Sequence, residues 1–251
     1  MTGVAELRYA LDQVAFSRAV GLKPDPWQEA LLRSPSDRTL LLCSRQAGKS
    51  TISAVLALHR ALYHPNSLVL VLAPALRQSQ ELFGKIAGFY SALDRPVPAQ
   101  AERRLSLELE NGSRIVTLPG TERTVRGFSG AALLLVDEAA RVDDALYYAV
   151  RPMLAVSDGS LLMLSTPYGK RGVFYEEWVE GVGWERFEIP APSVPRISEE
   201  FLAEERRALP RRVYQQEYCC EFLDVDDQVF GFDLVQAAVS PDVRPLFEEA
   251  G

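Results

Sequence analysis

The sequence is poor in the residues that build disulfide scaffolds and soft-metal centres: it has three cysteines and two histidines in 251 residues. Cys43, Cys219 and Cys220 form no metal-ligand spacing, and their small number fits a reducing compartment. His59 and His64 have no partner at metal or nucleophile spacing and read as ordinary helix-face and helix-end residues. Long apolar runs are also missing, since nothing approaches the ~18 apolar residues of a membrane span. Met1 to Ala10 carries Glu6 and Arg8 and no apolar stretch, which is not the layout of a secretory signal. Low-complexity segments and internal repeats are absent. Basic residues are outnumbered, with 27 Lys and Arg against 34 Asp and Glu and a net charge of −7. That excludes a surface basic throughout, as a nucleic-acid platform needs, and leaves room for a local basic patch. What remains is 47% hydrophobic and 24% charged, enough for the core of one soluble enzyme domain.

The most informative segment runs from Leu40 to Thr51, where an apolar stretch enters a short polar loop that ends in Gly48-Lys49-Ser50-Thr51. A strand, a loop and a helix in that order make a phosphate-binding loop. Gly48 lets the backbone approach phosphate oxygens, Lys49 is placed to reach the β- and γ-phosphates, and Ser50 is placed to ligate Mg²⁺. The N-terminal amides of the following helix point at the anion. Cys43 stands where such a loop has its first glycine. The context supports the motif nonetheless, because Thr51 to Tyr63 repeats Ile52, Val55, Leu56 and Leu62 at helical spacing.

A second motif supplies the rest of the chemistry. Ala131 to Val136 reads as a buried parallel strand, and it ends in Asp137-Glu138. Carboxylates at the C-terminal end of such a strand face the same crevice as the phosphate loop. Asp137 is placed to hold Mg²⁺, and Glu138 to polarise an attacking water, as phosphoryl transfer requires.

The periodicity predicts alternating helices and strands. Helices are expected over Ala5 to Val20, Trp27 to Leu32, Thr51 to Tyr63, Leu76 to Leu93, Asp143 to Ala155 and Val173 to Val182. Strands are expected over Thr39 to Cys43, Ser67 to Ala73, Ala132 to Val136 and Ser160 to Ser165, with Trp184 to Ile189 as an outer strand. Asn111-Gly112 marks a hairpin between Leu105 to Leu109 and Ser113 to Leu118. Pro96 and Pro98 read as a loop. The proline-rich Ala191 to Pro195 reads as a boundary before two helices, Ser198 to Leu209 and Arg212 to Cys219. The charges of Glu199 to Arg212 read as a solvated helix face with i,i+4 pairs. The expected architecture is α/β, a mostly parallel sheet with helices on both faces. The core covers residues 1–190 and a C-terminal unit covers 191–251.

The combination of Trp27-Gln28, Ser44-Arg45-Gln46-Ala47-Gly48-Lys49-Ser50, Val136-Asp137-Glu138-Ala139, Ser165-Thr166-Pro167 and the tail Tyr214 to Phe222 resembles the ATPase domain of the large terminase subunit of tailed bacteriophages. The resemblance runs from about Pro26 to Phe230 and covers most of the chain. It accounts for Cys43, since that family often lacks the first loop glycine. It implies a RecA-like P-loop ATPase of the additional-strand, catalytic-glutamate class, in which the helical unit from 191 is a lid over the nucleotide.

The resemblance also implies roles. Gln28 would read the adenine edge, Ser44 to Thr51 would cradle ATP, and Ser50 and Asp137 would hold Mg²⁺. Glu138 would be the catalytic glutamate and Thr166 the group that couples γ-phosphate loss to movement. An arginine finger is expected, with Arg126 acting in trans ahead of Arg45 acting in cis, and Arg141 third. The implied activity is an ATPase motor that translocates double-stranded DNA into a procapsid as a ring of subunits, typically five. Its implied partners are the portal protein and the small terminase subunit, and its implied setting is the host cytoplasm with no membrane. Arg95, Arg103, Arg104 and Arg114 are candidates for DNA contact, interleaved with Glu102, Glu108 and Glu110. The clustered Asp224, Asp226 and Asp227 lack the strand context of a nuclease, so no nuclease activity is expected of this chain. A helicase-like translocase and a nucleotide-binding scaffold without useful turnover are the alternatives. Glu138 weighs against the scaffold.

Overall fold

Strands β1 (Arg38–Cys43), β2 (Leu68–Ala73), β6 (Ala131–Asp137) and β7 (Ser160–Ser165) are apolar along nearly their whole length and buried on both faces. Such strands belong inside a parallel sheet covered by helices. The computed structural model describes residues 3–119 and 127–224, and there these strands form the centre of an eight-stranded sheet. The other strands are β3 (Ala99–Arg103), β4 (Ser106–Leu109), β5 (Arg114–Pro119) and β8 (Glu185–Ile189). Their order is β3-β4-β5-β2-β6-β7-β1-β8, parallel from β5 to β8. Strands β3 and β4 form an antiparallel extension at one edge. Strand β7 lies between the loop-bearing β1 and the acid-bearing β6.

The period of two along each strand divides the core into two layers. Leu41, Cys43, Val69, Val71, Leu133, Leu135, Leu162 and Leu164 point to one face. There they meet α2 (Gln13–Ala19), α3 (Pro26–Arg33), α4 (Lys49–Tyr63) and α5 (Leu76–Ala92). Leu40, Leu42, Leu68, Leu70, Leu72, Leu134, Val136, Leu161 and Met163 point to the other. They pack on α6 (Asp144–Val150) and α7 (Gly172–Val179). Two further helices, α8 (Glu199–Ala208) and α9 (Arg211–Cys219), carry a small cluster of their own around Ala191, Leu202 and Tyr218. The fold is the RecA-like α/β architecture, with helices on both faces and an additional strand between the two motif strands.

Several elements differ from the sequence expectation. The helix expected over Ala5 to Val20 is two helices, α1 (Gly3–Leu11) and α2. Asp12 breaks them apart with extended backbone, and its carboxylate accepts hydrogen bonds from Val14 N at 2.9 Å and Ala15 N at 3.0 Å. That satisfies amides which a continuous helix would have bonded internally. The helix expected over Asp143 to Ala155 stops at Val150 and continues as a 3₁₀ turn, Arg151–Leu154, which contains Pro152. Strand β3 falls where a loop was expected after Pro98, and it pairs with β4 to make the hairpin three-stranded. The Asn111-Gly112 turn lies between β4 and β5 as expected, with Asn111 Nδ2 donating to Ala61 O at 2.9 Å. Among the described residues no helix is long and apolar enough to cross a membrane.

Candidate nucleotide site

The parallel strands β1, β7 and β6 end side by side, and the polar residues that follow them meet above the sheet edge. After β1 the chain turns through Ser44 to Gly48, and α4 begins at Lys49. Gln46 and Gly48 have φ of +61° and +97°, the left-handed region that lets so short a loop reverse. The φ of Gly48 favours glycine, and a Cβ there would lie 2.9 Å from Gln28 Nε2, so a larger residue would also displace that side chain. The first amides of α4 have no carbonyl one turn back to bond, and the helix dipole adds positive potential at the same place. Cys43 is buried in the core layer that faces α4, and burial pushes its thiol well above the ordinary range. Cys43 is the last residue of β1 and is not among the positive-φ residues, so its position does not call for glycine. Ser44 Oγ is fully buried and has no hydrogen-bond partner among the described residues, an available group in the floor of the loop.

The acids arrive from β6. Asp137 is 4% exposed, and its Oδ2 accepts from Ser50 Oγ at 3.4 Å. Burial first, then the neighbouring Glu138 charge, pushes its carboxyl up to about 6, against the opposing pull of Lys49. Glu138 follows in the left-handed region at φ +51°, an unusual conformation for this residue that turns its side chain back over the sheet edge. Its Oε1 lies 3.8 Å from Lys49 Nζ, and its Oε2 accepts from Thr166 Oγ1 at 3.4 Å. Thr166 follows β7, and the adjacent Ser165 Oγ accepts from Ala140 N at 3.2 Å, which ties the two strand ends together. Lys49, Ser50, Asp137, Glu138 and Thr166 thus form one contiguous group.

The remaining expected residues divide. Gln28 on α3 is 2% exposed and lies against Gly48. Ala47 is buried beneath the loop, and Gln46 is exposed on it. Thr51 lies in the first turn of α4, where its amide donates to Gly48 O at 3.1 Å. Arg45 points away from Lys49: its Nε donates to Glu217 Oε2 at 2.5 Å, and its amide donates to Glu217 O at 2.9 Å. Arg141 is stacked on Tyr168, with its guanidinium carbon 4.1 Å from the ring centroid. Arg126 lies outside the described residues, as do Asp226 and Asp227. Of the arginines considered for DNA contact, Arg95 pairs with Glu102 at 3.1 Å and Arg103 pairs with Glu108.

Three residues at the site were not singled out in the sequence. Glu217 holds Arg45 from α9. Arg196, just before α8, donates from Nη2 to Asp25 Oδ2 at 2.7 Å and to Ala47 O at 2.8 Å. Asp25 had a readable signal, an N-cap acid three residues before Gln28. Arg196 is a lone charge after a proline-rich stretch and nothing local marks it, whereas Glu217 lies within the Tyr214 to Phe222 tail without any sign there of its contact with Arg45.

Known proteins resemble this chain in sequence and in fold. The family model described as "Terminase large subunit, T4likevirus-type, N-terminal" matches residues 40–237. The large terminase subunit of Thermus virus P23-45 is 30% identical over 260 residues, covering 88% of this chain and 53% of that protein. The large terminase subunit of Escherichia phage T5 is 27% identical, covering 84% of this chain and 50% of its own length. The chain therefore spans about half the length of the curated relatives it matches. The ATPase domain of the Thermus phage P74-26 large terminase superposes with a TM-score of 0.73 at 26% identity, covering 83% of this chain and 97% of that domain. The bacteriophage HK97 large terminase superposes with a TM-score of 0.72 at 17% identity, a likeness of fold. On the family match and the P23-45 relative together, this chain belongs to the large terminase subunits, and what it shares with them is their N-terminal region.

Proposed function

We propose that the chain is the ATPase motor of viral DNA packaging, which binds ATP with Mg²⁺ between β1 and α4 and hydrolyses it to move double-stranded DNA into a procapsid. The observation that carries this reading is the convergence of Lys49, Ser50, Asp137, Glu138 and Thr166 at three neighbouring strand ends. The loop amides and Lys49 receive the phosphates, and the Lys49 ammonium exchanges its Glu138 contact for the β- and γ-phosphate oxygens. Gln28 reads the adenine edge. The donors fit a hard divalent cation, because Ser50 Oγ and the buried Asp137 carboxylate are oxygens that already share one space. Mg²⁺, when bound, neutralises charge on the phosphates and fixes their orientation.

Glu138, released from Lys49, accepts a hydrogen bond from water and aligns it with the γ-phosphorus. Water attacks as Glu138 takes one of its protons, the bond from γ-phosphorus to the ADP oxygen breaks, and ADP and phosphate leave, with the proton passing from Glu138 to the phosphate. Thr166, already bonded to Glu138, senses whether the γ-phosphate is present. An arginine finger completes the charge balance, with Arg126 from a neighbouring chain ahead of Arg45 in cis. The same reading implies a ring of subunits, typically five, on a portal protein in the host cytoplasm, with a small terminase subunit as partner. DNA contact is then mainly to phosphates, hence salt-dependent and sequence-independent.

Mg·ATP binding and turnover of Lys49→Ala and Glu138→Gln test the site. Lys49→Ala is expected to lose binding. Glu138→Gln is expected to bind Mg·ATP but to lose roughly 10²-fold or more in turnover. Tight binding by the first variant, or unchanged turnover by the second, overturns the assignment. Tight Mg·ATP binding with negligible turnover by the wild type itself would favour the scaffold reading.

A further inference from the structure

Arg196 occupies a position that the nucleotide chemistry does not by itself explain. It comes from the segment that leads into α8, and its side chain is about half exposed. Its guanidinium nevertheless reaches inward to two buried partners that belong to different elements. Nη2 donates to Asp25 Oδ2 at 2.7 Å and Nε donates to the same oxygen at 3.2 Å, while Nη2 also donates to Ala47 O at 2.8 Å. Asp25 is 7% exposed and is the residue on which α3 begins. Ala47 belongs to the phosphate loop. One side chain therefore fastens the start of the base-side helix to the loop that takes the phosphates.

Gln28 lies beside that fastening, three residues into α3 from Asp25. A carboxamide offers an acceptor on one side and donors on the other, and the two differ only by a flip about the last torsion. Here Gln28 Oε1 accepts from the Asp25 amide at 3.0 Å, and only the oxygen can fill that place because the partner is an N–H. Nε2 is thereby turned toward Gly48, 2.9 Å from where a Cβ would stand. Arg196 Nη2 closes on the same face of Gly48, 3.2 Å from that point. Adenine presents an N6 donor beside an N7 acceptor, whereas guanine presents two acceptors, O6 and N7, on the same edge. A carboxamide pinned in one orientation at a fixed distance from the loop distinguishes these edges. One that is free to flip or drift adapts to both.

We infer that Arg196 is a positioning residue for base selectivity. By clamping Asp25 to the Ala47 carbonyl, it fixes the Gln28 carboxamide against the phosphate loop and makes the site favour adenine over guanine nucleotides. The inference rests on the proposed nucleotide site. Arg196 touches neither base nor phosphate in this role and acts through Asp25 and Gln28. Lysine reproduces it only in part: one ammonium can bridge the two acceptors that Nη2 bridges, but it lacks the second bond from Nε to Asp25 and the rigid plane of the guanidinium.

The test is competition binding on the full chain with Mg·ATP, Mg·GTP and inorganic tripolyphosphate as probes. The wild type is measured first. If it binds none of the three, the nucleotide-site reading itself fails. If it binds ATP and GTP equally, only the selectivity inference fails. For Arg196→Ala the ATP:GTP preference is expected to fall by about tenfold, the scale of one well-placed hydrogen bond. Tripolyphosphate affinity is expected to change less than about twofold. Asp25→Asn keeps the amide that holds Gln28 but weakens the clamp, and Arg196→Lys keeps the charge. Both are expected to show intermediate selectivity, so the test survives a poorly folding alanine variant. Gln28→Ala is expected to remove the preference, and adding Arg196→Ala to it should change nothing further, because one acts through the other. Equal weakening of all three probes by Arg196→Ala, or an additive double variant, overturns the proposal.

Discussion

Asp137 places a conflict between stability and function in one side chain. Its carboxylate is buried beside Glu138, and its pKa is raised from 3.8 to about 6. A carboxyl whose folded pKa is raised makes the folded state less stable when ionised. The cost is full above about pH 6 and disappears as pH falls toward 3.8, amounting to about 3 kcal/mol from the size of the shift. Asparagine keeps the shape and can serve both neighbours, accepting from the Glu138 amide and donating to Ser50 Oγ. Asp137→Asn is therefore expected to melt several degrees above wild type at pH 7.5 without nucleotide, and to lose most turnover. The gain should shrink as pH is lowered from 7.5 to 5. A variant that melts lower at pH 7.5, or whose gain is the same at pH 5, shows that Asp137 is not held under that penalty.

Residue identity made this part of the site legible. Lys49, Ser50, Asp137 and Glu138 sit next to apolar strands that locate them. Arg196, Asp25 and Glu217 act through contacts made across the chain, by loops and helices whose approach no local spacing records. For Arg196 only the tertiary structure supplies the signal, and for Glu217 only the tertiary structure supplies its partner, Arg45.

At the scale of elements, the central strands and α4 were legible because burial on both faces leaves an uninterrupted apolar run. The elements that differ are those decided by a few polar atoms. Asp12 was hidden inside a helical period running from Ala5 to Val20, yet its carboxylate takes two amides and restarts the helix. Asp12→Ala is expected to cost about 1 kcal/mol, and a thermal melt should fall by roughly 2–4 °C. An unchanged melt would mean that α1 and α2 tolerate fusion into one helix. Strand β3 is mostly exposed along Ala99–Arg103, and its alternation of Ala99 and Ala101 with Gln100 and Glu102 is too short and too weakly apolar to mark a strand without its pairing to β4.

The contact between His59 and Tyr9 is expected to make the docking of α1 pH-dependent. His59 is buried, and its Nε2 lies 2.9 Å from Tyr9 O, which requires Nε2–H to donate. Burial pushes His59 down to about 4, so its neutral form is the one that fits. Stability from this group is complete above about pH 6.5 and is lost as pH falls toward 4, opposite in sign to Asp137. In the Asp137→Asn background, where the opposing carboxyl is gone, the melt should therefore fall more steeply between pH 6.5 and 5 than in wild type. An identical slope in both would dismiss the opposed pair.

On the scale of the whole molecule, the question is whether one chain is catalytically complete. The loop arginine, Arg45, is already bonded to Glu217 on α9 through its side chain and its backbone amide. Recruiting it to the γ-phosphate in cis requires breaking that ion pair. Turnover per chain is accordingly expected to rise steeply with protein concentration, since a finger in trans can be worth about 10³-fold or more in rate. Complementation makes the distinction sharper. Arg126→Ala and Glu138→Gln should each be inactive alone, the first for want of the finger and the second for want of the group that aligns water. Mixed, they create interfaces where an intact Glu138 from one chain faces an intact Arg126 from the other, and a fraction of the activity should return. A flat specific rate with an active Arg126→Ala variant would assign the finger to Arg45 and make Glu217 its competitor within each chain. Arg45→Ala would then be the variant that silences every subunit, whatever its neighbour.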